Sequence, residues 1–253
     1  MALKLDSYRS LCTEVYGIDK PTAPADALDF YLAYARESKG PILEPMCGSG
    51  RFLIPMLESG LEVDGIDASA SMLDLCRQKC RDRGLKSNLY EGFIQEIELD
   101  QKYGLAFIPS GSFTLITDAN QARLSLQRLR DAMLPGAKLV LEAGQNRGAE
   151  SISWPWGGKW WDRPAGGKIV LSWMGHYDTT TGIAHSIHRY ELVVDGQLVK
   201  TEFEDFDTRT YDRSEMIRML EDVGFVNVRV LTAYANKEPD REVEDVVYEC
   251  ARP

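Results

Sequence analysis

Two carboxylates flank a glycine-containing loop between residues 44 and 67. The segment reads PILEPMCGSGRFLIPM from Pro41, so that Glu44 ends an apolar run and the triplet Gly48-Ser49-Gly50 follows shortly after it. Asp67 ends the next apolar run, LEVDGID. A strand, a glycine loop and a helix in this order bring backbone N–H groups close to a ligand. A carboxylate at the end of the second strand can accept both hydroxyls of a ribose. The spacing therefore predicts a nucleoside-binding loop.

The same loop distinguishes two kinds of nucleoside ligand. The dinucleotide pattern G-x-G-x-x-G has a third glycine where this chain has Leu53. Glu44 would repel a pyrophosphate, whereas it would suit a nearby ammonium or sulfonium group. We therefore expect a positively charged nucleoside rather than a dinucleotide, and a nicotinamide-dependent oxidoreductase stays an alternative.

The elements that must position these residues alternate between strand and helix over residues 40–143. Helical spacing precedes them at 24–38, and a helix at 214–225 with two further strands closes the chain. This order predicts an α/β, doubly wound (Rossmann-like), mainly parallel sheet of seven strands. Two turn signals between alternating runs predict an inserted three-stranded antiparallel meander after a Trp-rich loop at 151–167. We expect one domain over 1–253, with an N-terminal helical lid at 1–39 and a cap insert at 145–211.

Four motifs in order resemble those of class I S-adenosylmethionine-dependent methyltransferases. They are ILEPMCGSGRFLIPM, VDGIDASASML, GLAFIPSGSF and AMLPGAKLVLE, all within residues 40–143. The resemblance implies S-adenosyl-L-methionine as cofactor, with S-adenosyl-L-homocysteine as product. By resemblance the glycine loop holds the methionine part of the cofactor, Asp67 holds its ribose, and the next residues pack on its adenine. The cofactor-binding residues implied in this way are Glu44, Met46, Cys47, Gly48, Ser49, Gly50, Asp67, Ala68, Met72, Phe93, Ile94 and Pro109.

The acceptor side is less well defined by the sequence. The loop after the fourth strand reads Ile108-Pro109-Ser110-Gly111, which differs from the Asn/Asp-Pro-Pro-Tyr of enzymes that methylate DNA bases or a glutamine side chain. It resembles the loop of small-molecule methyltransferases instead, and an N or O atom of a small molecule is the expected acceptor. Ser110 and His176 are the candidate catalytic residues, since a hydroxyl acceptor needs a base and a histidine titrates near neutrality.

Aromatic residues outside the core motifs are candidates for binding the acceptor. We select Tyr8, Tyr16, Trp173 and Tyr211. Four of the five tryptophans lie within 154–161, where they could form a wall over the substrate, a dimer contact or a plug for the meander. A non-catalytic, cofactor-binding scaffold and an aminopropyl transferase of the same fold are further alternatives.

Composition limits the remaining classes of partner. The net charge is −10, which disfavours nucleic acid as a partner, and no apolar stretch is long enough to span a membrane. Five scattered cysteines lack the paired spacing of a zinc site, so that we expect no metal and reduced thiols in the cytoplasm. The oligomeric state is expected to be a monomer or a homodimer.

Overall fold

Twelve strands lie in the residues that the computed structural model describes, which are 5–144, 153–239 and 246–253. In chain order they are β1 (Ile42–Pro45), β2 (Val63–Asp67), β3 (Leu89–Glu91), β4 (Tyr103–Ile108), β5 (Met133–Glu142), β6 (Ser153–Asp162), β7 (Lys168–Asp178), β8 (Ile183–Val194), β9 (Gln197–Asp205), β10 (Thr208–Arg209), β11 (Val226–Thr232) and β12 (Val246–Ala251). They form two sheets. The main sheet has the order β11-β12-β5-β4-β1-β2-β3, and the second, antiparallel sheet contains β6 to β10.

The main sheet is parallel except around β12. Strands β1 to β5 pair in parallel, whereas β12 runs antiparallel to both β5 and β11. The strand order reverses between β1 and β4, and ligands of such sheets bind beside the carboxyl ends of the strands at that reversal. The predicted seven-stranded Rossmann-like sheet is therefore confirmed, and the reversal places Glu44 and Asp67 at its ligand-binding edge.

Six α-helices flank these strands within the described residues. They are α1 (Ser10–Asp19), α2 (Ala25–Glu37), α3 (Leu53–Glu58), α4 (Ala70–Asp82), α5 (Ala119–Ala132) and α6 (Arg213–Val223). The hydroxyl of Ser69 caps α4, the carboxylate of Asp118 caps α5, and α6 ends at Gly224 in the left-handed conformation. One apolar cluster on each side of the main sheet fixes the helices, as the apolar spacing of the sequence predicts.

The segment predicted as a Trp-rich loop is largely a strand, and the prediction was wrong there. Residues Ser153–Asp162 form β6, which pairs with β7 at the edge of the second sheet, while 151–152 lie outside the described residues. Pro155 and the Gly157-Gly158 pair suggested a loop. The register shifts between Trp154 and Gly157, so Pro155 falls in a bulge of an edge strand, where proline is tolerated. With β10 added as well, the second sheet has five strands rather than three.

Helix α1 covers one face of the second sheet. Its side chains Leu11, Cys12 and Val15 are buried against Ile169 of β7 and Tyr190 of β8. All five tryptophans of the chain lie on β6 and β7 of this sheet. The N-terminal part of the chain therefore bridges the second sheet and the main sheet.

Candidate functional site

A cavity of about 350 Å³ opens at the carboxyl ends of β1, β2 and β4. Its floor is formed by the loop after β1 and by the residues that follow β2, β3 and β4. Residues 5–8 of the N-terminal segment and Asp205 and Asp207 at the end of β9 complete its wall. Both sheets therefore contribute to the cavity.

Asp67 holds the glycine loop in place. Its Oδ2 accepts a hydrogen bond from Gly48 N at 2.7 Å, and its Oδ1 accepts one from Ser69 N at 2.8 Å. Gly48 has φ +53° and Met46 has φ +60°, so the loop turns through the left-handed region on both sides of Cys47. Burial raises the pKa of Asp67 to about 6, against the lowering effect of these two backbone donors. Each carboxylate oxygen has a second lone pair, which a ligand hydroxyl can use.

Glu44 is a buried carboxylate at the cavity. It is 2% exposed, and within the described part of the chain its Oε2 has no hydrogen-bond partner. Burial raises the pKa of Glu44 well above its usual value, and the nearby Asp67 raises it further. An unpartnered buried carboxylate oxygen is costly unless a ligand satisfies it. An ammonium group placed in the cavity would satisfy it and favour its ionised form.

The N-terminal segment is tied to the cavity by Tyr8. The backbone N–H groups of Tyr8 and Arg9 donate to the carboxylate of Glu204 at 3.0 and 2.7 Å. The carbonyl of Tyr8 accepts a hydrogen bond from Ser69 Oγ at 2.8 Å, and Tyr8 itself has φ +56°. The ring of Tyr8 packs edge-on against Tyr16. Residues 5–8 are thus held between the second sheet and the N-terminal end of α4.

Much of the remaining lining of the cavity is polar and acidic. Its lining includes Ser110, Ser112, Asp118, Gln121, Asp6, Asp205 and Asp207. Behind Asp207, His185 Nδ1 lies 2.7 Å from Asp207 Oδ2, and the ring of His176 lies beside that of His185 at 5.2 Å. These carboxylates suit a cationic ligand, since they stabilise a positive charge.

Most residues selected as cofactor-binding from the sequence line the cavity. These are Glu44, Met46, Cys47, Gly48, Asp67, Ala68, Met72, Phe93, Ile94 and Pro109. Ser49 and Gly50 lie outside the lining. Ser49 is buried and its hydroxyl accepts from Lys79 Nζ at 3.2 Å, while a Cβ at Gly50 would lie 2.6 Å from Cys76 Sγ. Gly50 is therefore required by helix packing.

The other selected residues divide in the same way. Ser110, Tyr8 and Tyr16 line the cavity, whereas His176, Trp173 and Tyr211 do not. His176 is separated from it by the His185–Asp207 pair, and the Trp173 ring packs over Gly157 of β6. Tyr211 is fully buried and donates its hydroxyl to the carbonyl of Ile116, which does line the cavity.

Several lining residues are not among those that the sequence points to. They are Asp6, Arg51, Asp118, Gln121, Asp205 and Asp207, together with their apolar neighbours. Arg51 directly follows the glycine triplet, and Asp118 caps α5. The sequence around each of these two residues could therefore have indicated its place at the cavity. Nothing in the spacing of Asp205 and Asp207 links them to the glycine loop, because their position depends on how the second sheet packs.

Comparison with known proteins agrees with this geometry. Residues 42–136 match the family described as methyltransferase domain. The putative methyltransferase YqeM of Bacillus subtilis (strain 168) is 22% identical over 246 residues, which are 91% of each chain. A solved S-adenosylmethionine-dependent methyltransferase from Clostridium acetobutylicum ATCC 824 superposes with a TM-score of 0.74 at 17% identity, over 94% of this chain and 96% of that one.

A second solved structure covers the whole chain. The sugar N-methyltransferase KedS8 from Streptoalloteichus sp ATCC 53650 superposes with a TM-score of 0.76 at 14% identity, over 100% of this chain and 98% of that one. Residues 42–136 thus match a methyltransferase domain, and the chain shares the fold of these solved methyltransferases. The class expected from the four sequence motifs is confirmed.

Two further kinds of feature are absent from the described ranges. No helix there combines the length and apolar character needed to cross a bilayer. Among the same residues, no group of three or more histidine, cysteine, aspartate or glutamate side chains is placed to hold a metal ion.

Proposed function

We propose that the protein transfers the methyl group of S-adenosylmethionine to the amine nitrogen of a small molecule. The observation that carries this proposal is the distribution of carboxylates in one cavity. Glu44 and Asp67 lie at strand ends of the main sheet, and Asp6, Asp205 and Asp207 lie on the wall that the N-terminal segment and the second sheet form. The first pair suits the ammonium and ribose of the cofactor, and the second group suits a protonated amine.

The residues of the cofactor half fit this nucleoside. Glu44 would accept from the ammonium group, which satisfies its unpartnered Oε2, and Asp67 would accept from the ribose hydroxyls. The loop from Met46 to Gly48 would lie along the methionine part, and Met72 would contact the adenine. When bound, the sulfonium supplies an activated methyl group. The protein contributes position and exclusion of water.

The acceptor amine must present a neutral nitrogen to the methyl group. A protonated amine drawn to Asp207 would lose its proton to solvent, and Asp207, itself held by His185 Nδ1 at 2.7 Å, would keep the neutral nitrogen in place through one of its remaining N–H groups. The nitrogen lone pair then forms the N–C bond as the S–C bond breaks, and sulfur keeps the bonding electrons. Ser110, which lines the cavity in the loop after β4, would orient the acceptor. KedS8, with the same fold, is named a sugar N-methyltransferase, which supports an amino sugar as the first acceptor to test.

Binding is tested by thermal unfolding with S-adenosylhomocysteine and, separately, with NAD⁺. A ligand at 100 times its Kd adds about 2.7 kcal/mol to the free energy of unfolding. For a chain of this size, that corresponds to a rise in Tm of about 5–10 °C. We expect this rise with S-adenosylhomocysteine alone. A rise with NAD⁺ alone would support the oxidoreductase alternative instead.

The acceptor class is tested by pairing amines with their hydroxyl analogues. Amino sugars and the matching neutral sugars are incubated with S-adenosylmethionine, and S-adenosylhomocysteine is quantified. We expect product with the amines, and we expect Asp207→Asn to raise KM for the amine at least tenfold. The same variant should bind S-adenosylhomocysteine with unchanged affinity, since Glu44 and Asp67, which would hold the cofactor, are intact in it. Preferred methylation of the neutral sugars would refute the amine assignment, and binding without turnover of any acceptor would favour a scaffold.

A further inference from the structure

The outer face of the second sheet is unusually apolar. Side chains alternate between the two faces of a strand, and one face of this sheet packs on α1. The opposite face carries large apolar side chains with high exposed fractions, namely Trp156 (53%), Trp160 (62%), Met174 (37%), Ile187 (44%) and Phe203 (55%). Strands with one solvated face normally alternate apolar and polar residues. On this sheet, large apolar side chains are exposed on the face that does not pack on α1.

The pairing register places these side chains together. Met174 pairs with Ile187, Arg189 pairs with both Ser172 and Phe203, and Trp160 pairs with Val170. The Arg189 guanidinium lies 5.3 Å from the ring centre of Trp156, which brings Trp156 to the same face. The five residues form a surface that extends from β6 to β9, and we call it the outer apolar face. It lies on the side of the second sheet opposite to α1.

We propose that a second copy of this chain covers the outer apolar face, so that the protein is a symmetric dimer. The exposed area is the first argument. At about 150–250 Å² for a whole aromatic side chain, the five residues expose on the order of 500 Å². Contiguous apolar patches on monomers rarely exceed a few hundred Å². With the polar residues around it, the face approaches the roughly 800 Å² that each partner buries in a standard interface.

Charge is the second argument and selects a copy of the chain as the occupant. The face carries both signs in matched pairs, since Arg189 lies 3.5 Å from Glu191 and, at its edge, Lys168 lies 3.4 Å from Asp162. A strongly charged partner gains nothing from a balanced face. Two identical faces related by a two-fold axis can place Arg189 of one chain against Glu191 of the other. A self-complementary surface of this kind suits an isologous contact.

Sedimentation of the full-length protein and of two matched variants tests the dimer. Ile187 on the outer apolar face and Leu124 on α5 are almost equally exposed, at 44% and 46%. We expect the wild-type protein to sediment at twice the monomer mass at micromolar concentration. Ile187→Lys should raise the Kd of the dimer at least 100-fold, whereas Leu124→Lys should leave it within about twofold.

Folding of each variant is verified by circular dichroism and by binding of S-adenosylhomocysteine. If Ile187→Lys does not fold, Trp160→Ser at the edge of the same face replaces it in the test. We expect Trp160→Ser to raise the Kd of the dimer by the same factor. A wild-type protein that stays monomeric at about 100 µM overturns the proposal. So does a dimer that the folded variants on this face leave intact, or one that Leu124→Lys disrupts equally.

Discussion

At the scale of single residues, Asp67 links the pH of the solution to cofactor binding. Burial raises its pKa to about 6 in the folded protein, above the usual value of 3.8. The folded state therefore holds the proton more tightly, and the stability that this provides is present below pH 3.8 and is lost as the pH rises through 6. Ribose hydroxyls donate to the ionised form, so cofactor binding has the opposite dependence on pH.

We expect the Kd of S-adenosylhomocysteine to rise about tenfold between pH 7.5 and pH 5, because Asp67 becomes protonated. Calorimetric titration at several pH values measures this. Asp67→Asn should weaken binding at pH 7.5 by about 1.5–3 kcal/mol and flatten the dependence on pH. Glu44→Gln removes the other buried carboxylate of the site, whose pKa burial also raises, so the pH slope that remains in this variant belongs to Asp67. An unchanged pH slope in Asp67→Asn would contradict the role assigned to this carboxylate.

Gly48 and Gly50 are required in the loop for different reasons. A Cβ at Gly48 would meet nothing closer than Asp67 Oδ2 at 4.0 Å, whereas a Cβ at Gly50 would lie 2.6 Å from Cys76 Sγ. Both have positive φ, so each alanine costs about 1 kcal/mol in backbone strain. Gly50→Ala adds a steric clash, and its Tm should fall by several degrees more than that of Gly48→Ala.

The two alanine variants should rank in the opposite order in cofactor binding. Gly48 lines the cavity and donates to Asp67, so Gly48→Ala should weaken binding of S-adenosylhomocysteine at least tenfold, whereas folded Gly50→Ala should bind nearly normally. Melting curves and titration calorimetry on both proteins give the comparison. Equal losses of affinity would mean that Gly50 also contacts the ligand.

At the scale of elements, strand β9 controls the N-terminal segment through two glutamates. Glu204 accepts from the backbone of Tyr8 and Arg9, next to the cavity, while Glu202 accepts from Leu11 N at 2.7 Å and Ser10 Oγ at 2.8 Å at the start of α1. Burial raises the pKa of Glu204, against the lowering effect of its backbone donors. We propose that residues 5–8 form the lid of the cofactor site and that Glu204 holds it closed.

Glu204→Gln should loosen this lid. A glutamine has one oxygen for the two N–H donors, and its amide N–H groups would face those same donors. We expect the Kd of S-adenosylhomocysteine to rise about tenfold and limited proteolysis before residue 10 to become faster. Glu202→Gln is the matched control and should lower Tm without changing the Kd. Equal Kd values for both variants would show that the lid does not depend on Glu204.

Elements with regular spacing are predictable from the sequence, and contacts between elements are not. The alternation of strands and helices is enough to place Glu44 and Asp67 at strand ends, because periodicity and turn residues are local signals. Strand β6 could not be predicted in this way, because proline such as Pro155 is excluded from strands except at a sheet edge or a bulge. The place of Asp207 and His185 near the cavity could not be predicted either, because it depends on packing between the two sheets.

At the scale of the whole molecule, the second sheet has two separate tasks. The face toward α1 holds the N-terminal segment over the cavity, and the opposite face is the proposed dimer contact. The two features adjoin, because Asp205 lines the cavity and pairs with Ile187 of the outer apolar face. The net charge of −10 favours the approach of cationic molecules to either cavity.

The placement of the tryptophans has a practical consequence. All five lie on β6 and β7, and none lies in the main sheet or its helices. Emission excited at the indole band therefore comes from the second sheet alone, while the amide signal in the far ultraviolet averages over the whole chain. A single optical experiment thus separates the two halves of the molecule without any added label. Quenching by iodide would further distinguish the solvent-facing indoles from Trp161, which packs beside α1.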